Sequence, residues 1–414
     1  MNLVLSKDLP TLRFRNFVEA WQEKQLGELF PHIRNGFVGT ATPFYETNGV
    51  PYLQGKNVKA GSLDLTGLIE ISEEFHRKQK KSQLRSGDLV MVQSGHVGEC
   101  AVIPWELEGA NCHALVVLSP DESVASEFFQ YYFYSPAGLR HIYKIRTGNT
   151  ISHILTSDLK PLHISIPSLS EQRKIADFLG AVDGKLAGLR EKEAALTRFK
   201  RGLMQALFSQ TLRFTRDDGS HFPDWEEKRL GDVVSAIQSG TTANQINDDS
   251  GLPVTRIETI SDGTVNYEKV GYVSKLERMD RYLLEKGDLL FSNINSVKHI
   301  GKIAIYDGSR PLFHGMNLLR IRTDKHLCVS EYLYFLLSSL PLKRHFERVC
   351  NQAVSQASIN QTELAKTKIS LPHTEEQQKI ANAITALDAK IAAVSDQIEQ
   401  LAAFKKGLLQ QMFV

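Results

Sequence analysis

The chain contains most of itself twice, and this duplication limits the folds open to it more than any other feature. Blocks recur in the same order about 200 residues apart. Leu12-Arg13-Phe14 returns as Leu212-Arg213-Phe214, and Trp21-x-x-Lys24-x-Leu26-Gly27 as Trp225-x-x-Lys228-x-Leu230-Gly231. Gly49-Val50-Pro51 returns as Gly251-Leu252-Pro253, Leu84-x-x-Gly87-Asp88-Leu89 as Leu284-x-x-Gly287-Asp288-Leu289, and Ser126-Glu127 as Ser330-Glu331. Residues 171–208 return as 376–413, with 16 of 38 aligned pairs identical. A period this long fits a duplicated domain rather than a solenoid of short repeats. Between the matched blocks the halves diverge, as expected of one scaffold carrying two dissimilar surfaces.

Each half divides into a mixed part and a long helix, giving segments 1–168, 169–210, 211–373 and 374–414. In the mixed parts, Asp88-Leu89-Val90-Met91-Val92 and Asp288-Leu289-Leu290-Phe291 read as strands entered through a Gly-Asp turn. Residues 126–145 and 330–349 read as aromatic-rich helices, and Ile164–Ile166 and Ile369–Leu371 as last strands stopped by proline.

The second long helix carries Ile380, Ile384, Leu387, Ile391, Val394, Ile398 and Leu401, alternating steps of four and three that define the seam of a coiled coil. The first carries Ile175, Leu179, Val182, Leu186, Leu189 and Leu196 in the same register, with Glu193 where its counterpart has Ile398. After Leu196 and Leu401 both patterns are read as stepping by three, to Phe199 and Phe404, a shared phase shift that would perturb the supercoil. Ser168-x-x-Glu171 and Thr374-x-x-Gln377 read as capping boxes. About 40 residues at 1.5 Å per residue give roughly 60 Å, longer than one small domain can cover, so the two seams are expected to pack on each other. The expected fold class is α+β: two mixed α/β domains at opposite ends of an antiparallel two-helix coiled coil, as a pseudo-two-fold internal repeat.

Composition adds bounds rather than identity. The chain has 414 residues, 42% hydrophobic and 23% charged, enough apolar content for two or three real cores. Cys100, Cys112, Cys328 and Cys350 stand apart with no CxxC pair, which reads as buried reduced thiols rather than a metal site. The opening MNLVLSKDLP does not read as a signal peptide and no apolar run reaches membrane-spanning length, so a cytoplasmic protein is expected.

The motifs Pro167-Ser-Leu-Ser-Glu171-Gln-Arg-Lys-Ile-Ala176 and Pro372-His-Thr-Glu-Glu376-Gln-Gln-Lys-Ile-Ala381 each close a variable part and open a long helix. With the Leu-x-x-Gly-Asp-Leu turns and the Trp…Leu-Gly openings, they resemble the specificity subunit of type I restriction-modification enzymes over nearly the whole chain. Small departures are Glu193 in the seam and Val354-Ser355 where the first half has Ile151 nearby. The resemblance implies two target-recognition domains, each reading one half of a split site in double-stranded DNA, with the helices as a ruler between them. It implies two methyltransferase (modification) subunits docked around the helices and restriction (endonuclease-translocase) subunits joining them. This chain itself would hold no cofactor; the partner subunits would use S-adenosylmethionine, ATP and Mg.

A net charge of only +2 means that any DNA-binding charge is gathered locally. Base edges are read by Arg, Asn, Gln, Lys, Ser and Thr, so the candidates lie in divergent loops rich in those types. In the first half these are Gln54, Lys56 and Asn57, then Gln93, Ser94 and His96, then Arg146, Asn149 and Ser152. In the second they are Arg256, then Ser292, Asn293, Asn295, Lys298 and His299, then Asn351, Gln352 and Gln356. Lys200-Arg201 and Lys405-Lys406 could touch phosphates, but the preferred reading is solvated cations that favour the helix C-terminal ends.

No catalytic signature is present. The amino-methyltransferase Asn/Asp-Pro-Pro-aromatic motif, a phosphate loop and HExxH are all missing from the sequence. Pro223-Asp224-Trp225-Glu226-Glu227-Lys228 superficially resembles a nuclease PD…ExK pattern, but its elements are too close together and Trp225-x-x-Lys228 belongs to the repeat. The chain therefore reads as non-catalytic, with a coiled-coil adaptor whose globular ends bind proteins as the other reading.

Overall fold

The computed structural model describes residues 9–148, 152–246, 249–260, 263–274, 279–352 and 356–414. The chain forms two compact units: one made of the residues up to Glu191 together with Asp396–Val414, the other of Lys192–Ser395. The duplication in the sequence is a duplication of topology. In the first unit β1 (His32–Asn35), β2 (Leu89–Val92), β3 (Cys100–Val102) and β4 (Leu115–Ser119) form an antiparallel sheet in the order β1-β4-β2-β3. In the second, β5 (Val234–Ser239), β6 (Leu289–Phe291), β7 (Ile303–Ile305) and β8 (Leu319–Thr323) repeat the order as β5-β8-β6-β7.

The strand after each Gly-Asp turn is buried on both faces, which explains its unbroken apolar run. Leu89 and Met91 face the aromatic helix and the long helix, whereas Val90 and Val92 face Leu53, Val58 and Val117. The turns themselves are built around a buried carboxylate. Asp88 accepts from the Arg85 backbone N–H, Arg34 and Ser119. Asp288 accepts from the Glu285 N–H and from Arg322 Nε and Nη2 at 2.7 Å each.

The aromatic segments are not single helices. The chain breaks at Ser135 and Ser339, giving α1 (Ser126–Tyr134) and α2 (Pro136–Ile145) in the first unit and α4 (Ser330–Leu337) and α5 (Leu340–Val349) in the second. Proline has no N–H to donate to a preceding turn and suits the start of a new helix, and Ser135 caps α2 by accepting from the Gly138 N–H. Gly138 is obligatory, because a Cβ there would stand 2.1 Å from the Tyr132 carbonyl.

Helices α3 (Leu169–Phe208) and α6 (Thr374–Gln411) each contribute to both units. In the first unit Ile175, Leu179, Val182 and Leu186 share a core with Leu408, Leu409, Met412 and Phe413, with Ile398 and Leu401 packed against it. The segments run antiparallel there: Arg13 holds Glu171 while Leu12 N–H donates to the Gln411 carbonyl, and Asp183 meets Lys405. In the second unit Leu207 shares a core with Ile380 and Ile384. Leu387 and Val394 are buried, while Leu189, Leu196 and Ile391 are half-buried.

The expected phase shift is absent. Phe199 and Phe404 are 61% and 53% exposed, and the four-three register continues through Lys200 and Lys405 instead. Those lysines are therefore not solvated end charges. Lys200 pairs with Asp388 at 2.5 Å and lies over Phe335, and Lys405 pairs with Asp183 at 2.6 Å and lies over Tyr131. A long methylene stem with a paired head can occupy a seam position that a phenylalanine would otherwise take. Arg201 and Lys406 do remain exposed.

Nor are the two capping boxes formed. Glu171 and Glu376 are buried at 1% and 0% exposure and turn toward arginines of the repeated Leu-Arg-Phe block. Glu171 takes Arg13 Nε and Nη2 at 2.7 Å each, and Glu376 takes Arg213 at 3.1 and 2.8 Å and Trp225 Nε1 at 3.1 Å. The glutamines beside them join three elements: Gln172 accepts from the Ala125 N–H and donates to the Ser123 and Pro167 carbonyls. Gln377 does the same with Val329, Leu327 and Pro372. The Trp-x-x-Lys openings form edge strands, Gln22–Gln25 and Glu226–Arg229, that pair with the last strands, His163–Ile166 and Lys368–Leu371. In that strand Lys228 pairs with Glu226, so the nuclease-like residues are scaffold.

Cys100, Cys112, Cys328 and Cys350 are free and buried, and burial pushes the Cys112 and Cys328 thiols up to about 12. Among the described residues, no helix is long and apolar enough to cross a membrane.

Removing one partner of a buried ion pair leaves an uncompensated charge. Arg13→Met should destabilise the first unit by about 3–5 kcal/mol, and Arg213→Met should do less harm because Trp225 still donates to Glu376. Adding Glu171→Met to Arg13→Met should recover much of the loss in chemical denaturation.

A second expectation concerns acid. His314 is fully buried, its Nε2–H donates to the Leu318 carbonyl, and burial lowers its pKa to about 4. Its folded value lies below the unfolded value near 6.5, so the unfolded chain binds the extra proton first as pH falls. The neutral ring's contribution is present above pH 6.5 and is lost progressively toward pH 4, by roughly 3 kcal/mol in all. A His314→Gln variant should show a flatter stability profile across that window, measured by denaturant titration at fixed pH steps.

Candidate nucleic-acid interface

In both units the loop that follows the Gly-Asp strand is joined to the hairpin that follows the second short helix. In the first unit, Gln93 carbonyl accepts from the Ile154 N–H and the Gly95 N–H donates to the Ser152 carbonyl. Thr147 and His153 exchange backbone hydrogen bonds, and Ser94 Oγ lies 2.6 Å from His153 Nδ1. The second unit makes this ribbon from β9 (Ile294–Asn295), β10 (Asn351–Gln352) and β11 (Ala357–Ser358), with the Ile359 N–H donating to the Asn293 carbonyl. Segments about 55 residues apart in sequence thus form one surface in each unit.

A glycine at positive φ fixes how the loop sits. A Cβ on Gly98 (φ 91°) would stand 2.9 Å from Ile142 of α2, and one on Gly301 (φ 74°) 2.8 Å from Phe346 of α5. The loop therefore presses directly on the buried face of the short helix, and only glycine combines that backbone with that clearance.

The sequence-derived candidates occupy this surface unequally. Ser94, His96 and Arg146 are exposed, Gln93 and Ser152 half-buried, and Asn149 lies outside the described residues, as do Ile151 and Val354-Ser355. Arg146 is held 4.4 Å from the Tyr143 ring centroid. In the second unit Lys298, Asn351, Gln352 and Gln356 are exposed, and Asn293, Asn295 and His299 half-buried. Ser292 is buried, with its Oγ accepting from Asn295 Nδ2 at 3.1 Å.

The third cluster is more divided. The Gln54–Asn57 turn abuts the end of β2, where the ribbon's loop begins, since a Cβ on Gly55 would touch Val92 at 3.4 Å, and the nearby Ala60 N–H donates to Glu99. Lys56 is exposed and Gln54 donates to Tyr45 Oη. Asn57 is buried: its Oδ1 accepts from the Gln54 N–H and its Nδ2 donates to the Asp64 carbonyl. Thr259 does the same at the matching place, accepting from the Arg256 N–H and donating to the Lys269 carbonyl. The structure gives both side chains a turn-forming role. Arg256 itself is exposed and 3.6 Å from Glu258.

Sequence reasoning missed His153, which closes the first ribbon, and the cations of α2 and α5. Arg140 and Lys144 are exposed on α2, as are Lys343, Arg344 and Arg348 on α5. The signal was available: residues 135–148 contain no acidic side chain. Burial, and then these neighbouring cations, hold His141 and His345 below the usual imidazole value. Among the described residues, no group of three or more His, Cys, Asp or Glu could hold a metal ion.

An exposed ribbon of hydrogen-bonding side chains beside a basic helix is suited to reading base edges from a position set by the backbone. Arg146→Ala should weaken recognition by about 1–3 kcal/mol and relax one base position, measured by competition between duplexes differing at single pairs.

The chain matches the family model for the type I restriction modification DNA specificity domain twice, over residues 18–198 and 223–403. It is 45% identical over 193 residues to a protein of Methanocaldococcus jannaschii provisionally named the type I restriction enzyme MjaX specificity subunit, covering 46% of this chain and 45% of that protein. It is 23% identical over 388 residues to the type I restriction enzyme StySPI specificity subunit of Salmonella potsdam, covering 90% of this chain and 82% of that one. Among solved structures, the type I restriction-modification S subunit of M. genitalium covers 98% of this chain and 99% of its own, with 16% identity and a TM-score of 0.61. A second structure, described as bearing on complex assembly and conformational transition of the type I R-M system, gives a TM-score of 0.58 at 19% identity, over 95% of this chain and 97% of that one.

Proposed function

Because the chain belongs to the type I restriction-modification DNA specificity family, we propose that each of its units reads one half of a bipartite site in double-stranded DNA. The observation that carries this reading is the ribbon built twice on one scaffold with different side chains. Ser94, His96, Arg146 and Ser152 occupy the first, and Asn293, Asn295, Lys298, Asn351 and Gln352 the second. Identical frames with unlike hydrogen-bonding groups read unlike base sequences. The reading assigns no chemistry to this chain: it selects the sequence, and other subunits act on it.

Two methyltransferase subunits dock on the long helices in this proposal, and restriction subunits join them. Those partners use S-adenosylmethionine, ATP and Mg, and the assembly works in the cytoplasm. The long helices set the spacer between half-sites.

Methylome sequencing of cells with and without the gene tests the reading. One split motif should lose methylation when the gene is deleted, whereas an unchanged methylome would support a protein-binding adaptor. Replacing residues 1–168 with those of another family member should change one half-site only, and inserting about four residues, one helical turn, into both helices should lengthen the spacer while the half-sites persist.

A further inference from the structure

Each ribbon is preceded by a short helix whose exposed charges are almost all cationic, beside exposed Leu139 and Tyr143 on α2 and Leu340 on α5. Helix α2 and the residue after it carry Arg140, Lys144 and Arg146, and α5 carries Lys343, Arg344 and Arg348 against the single acidic Glu347. In a chain with a net charge of +2, that is a strong local concentration at two matching places. All six side chains are exposed. Several other arginines and lysines are paired with carboxylates, as Arg13, Arg34, Lys200, Arg213, Arg322, Lys379 and Lys405 are, whereas others such as Arg201 and Lys406 are exposed without one. Among the described residues none of the six is so paired.

We propose that α2 and α5 are the elements that grip the phosphate backbone and thereby seat each ribbon over its bases. This inference rests on the DNA-reading function above and assigns positioning residues to it. Three observations favour duplex DNA as the occupant of these faces. The charge is complementary to phosphate and has no carboxylate partner among the described residues. Each helix runs directly into its ribbon, and the Gly98–Ile142 and Gly301–Phe346 contacts lock loop to helix, so a backbone held by the helix lies beside the side chains that would read it. The arrangement occurs in both units although the intervening sequences differ.

The test is the salt dependence of duplex binding by the full chain assembled with its methyltransferase subunits. Each phosphate contact contributes about 0.9 to the slope of log affinity against log salt. Arg140→Gln with Lys144→Gln should flatten that slope by about two, and Lys343→Gln with Arg344→Gln should do the same. Both doubles should weaken cognate and scrambled duplexes alike, leaving their ratio and the methylated motif unchanged. The charge-keeping Arg140→Lys should retain the slope, and circular dichroism verifies that each variant is folded. An unchanged slope in a folded variant, a changed motif, or a loss confined to subunit assembly would overturn the proposal while leaving the DNA reading intact. A wild-type complex that binds no duplex would overturn both.

Discussion

A carboxylate with no water around it must have a cation, and Glu171 and Glu376 organise their units through that requirement. Each sits in the first turn of a long helix at a point where the helix, the last strand and the loop before the aromatic helix converge. The arginine that answers it comes from the arm preceding the first strand, more than 150 residues away in sequence. The adjacent glutamine then fixes the loop and strand by three hydrogen bonds. Charge-assisted hydrogen bonds of this kind are worth about 1.5–3 kcal/mol each. The Glu-Gln pair that marks both repeats is thus a joint between helix and sheet, and the surfaces beyond it are free to differ.

Where the halves must meet the same physical demand, they do so with interchangeable parts. Asp88 and Asp288 occupy the same turn, but Arg34 reaches the first from β1 whereas Arg322 reaches the second from β8. Asn57 and Thr259 close the same loop with different side chains. Trp225 donates to the hub carboxylate, while the buried Nε1 of Trp21 has no partner among the described residues. Shared backbone geometry with exchanged side chains is what lets one frame display two unlike ribbons.

Local, periodic features were legible in the sequence: the duplicated blocks, the Gly-Asp turns, the doubly buried strands and most of the seam. The features that were not legible depend on long-range pairing. Nothing near Lys200 or Lys405 shows that Asp388 and Asp183 will meet them, so the eye prefers the nearby phenylalanines. The break before α2 follows from Pro136, but an aromatic run reads as continuous across it. Asn57 has the composition of a base reader, and only the closed turn shows its amide already engaged. The ribbon needed partners from two distant segments, and the cations of α2 were masked by their aromatic neighbours.

The division of the long helices between units also sets an order for biogenesis. The second unit is continuous in sequence, so every residue of Lys192–Ser395 has been made before synthesis reaches the final helical turns. Most of the first unit is made before the second, yet Phe413, packed against Phe128 and Tyr132, is made after it. During translation the nascent chain therefore carries an apolar face, formed by Phe128, Leu179 and their neighbours, that stays uncovered until Leu408, Leu409, Met412 and Phe413 emerge. Of the two units, the one begun earlier closes later, and its exposed interval lengthens with every codon that separates the two halves of its core.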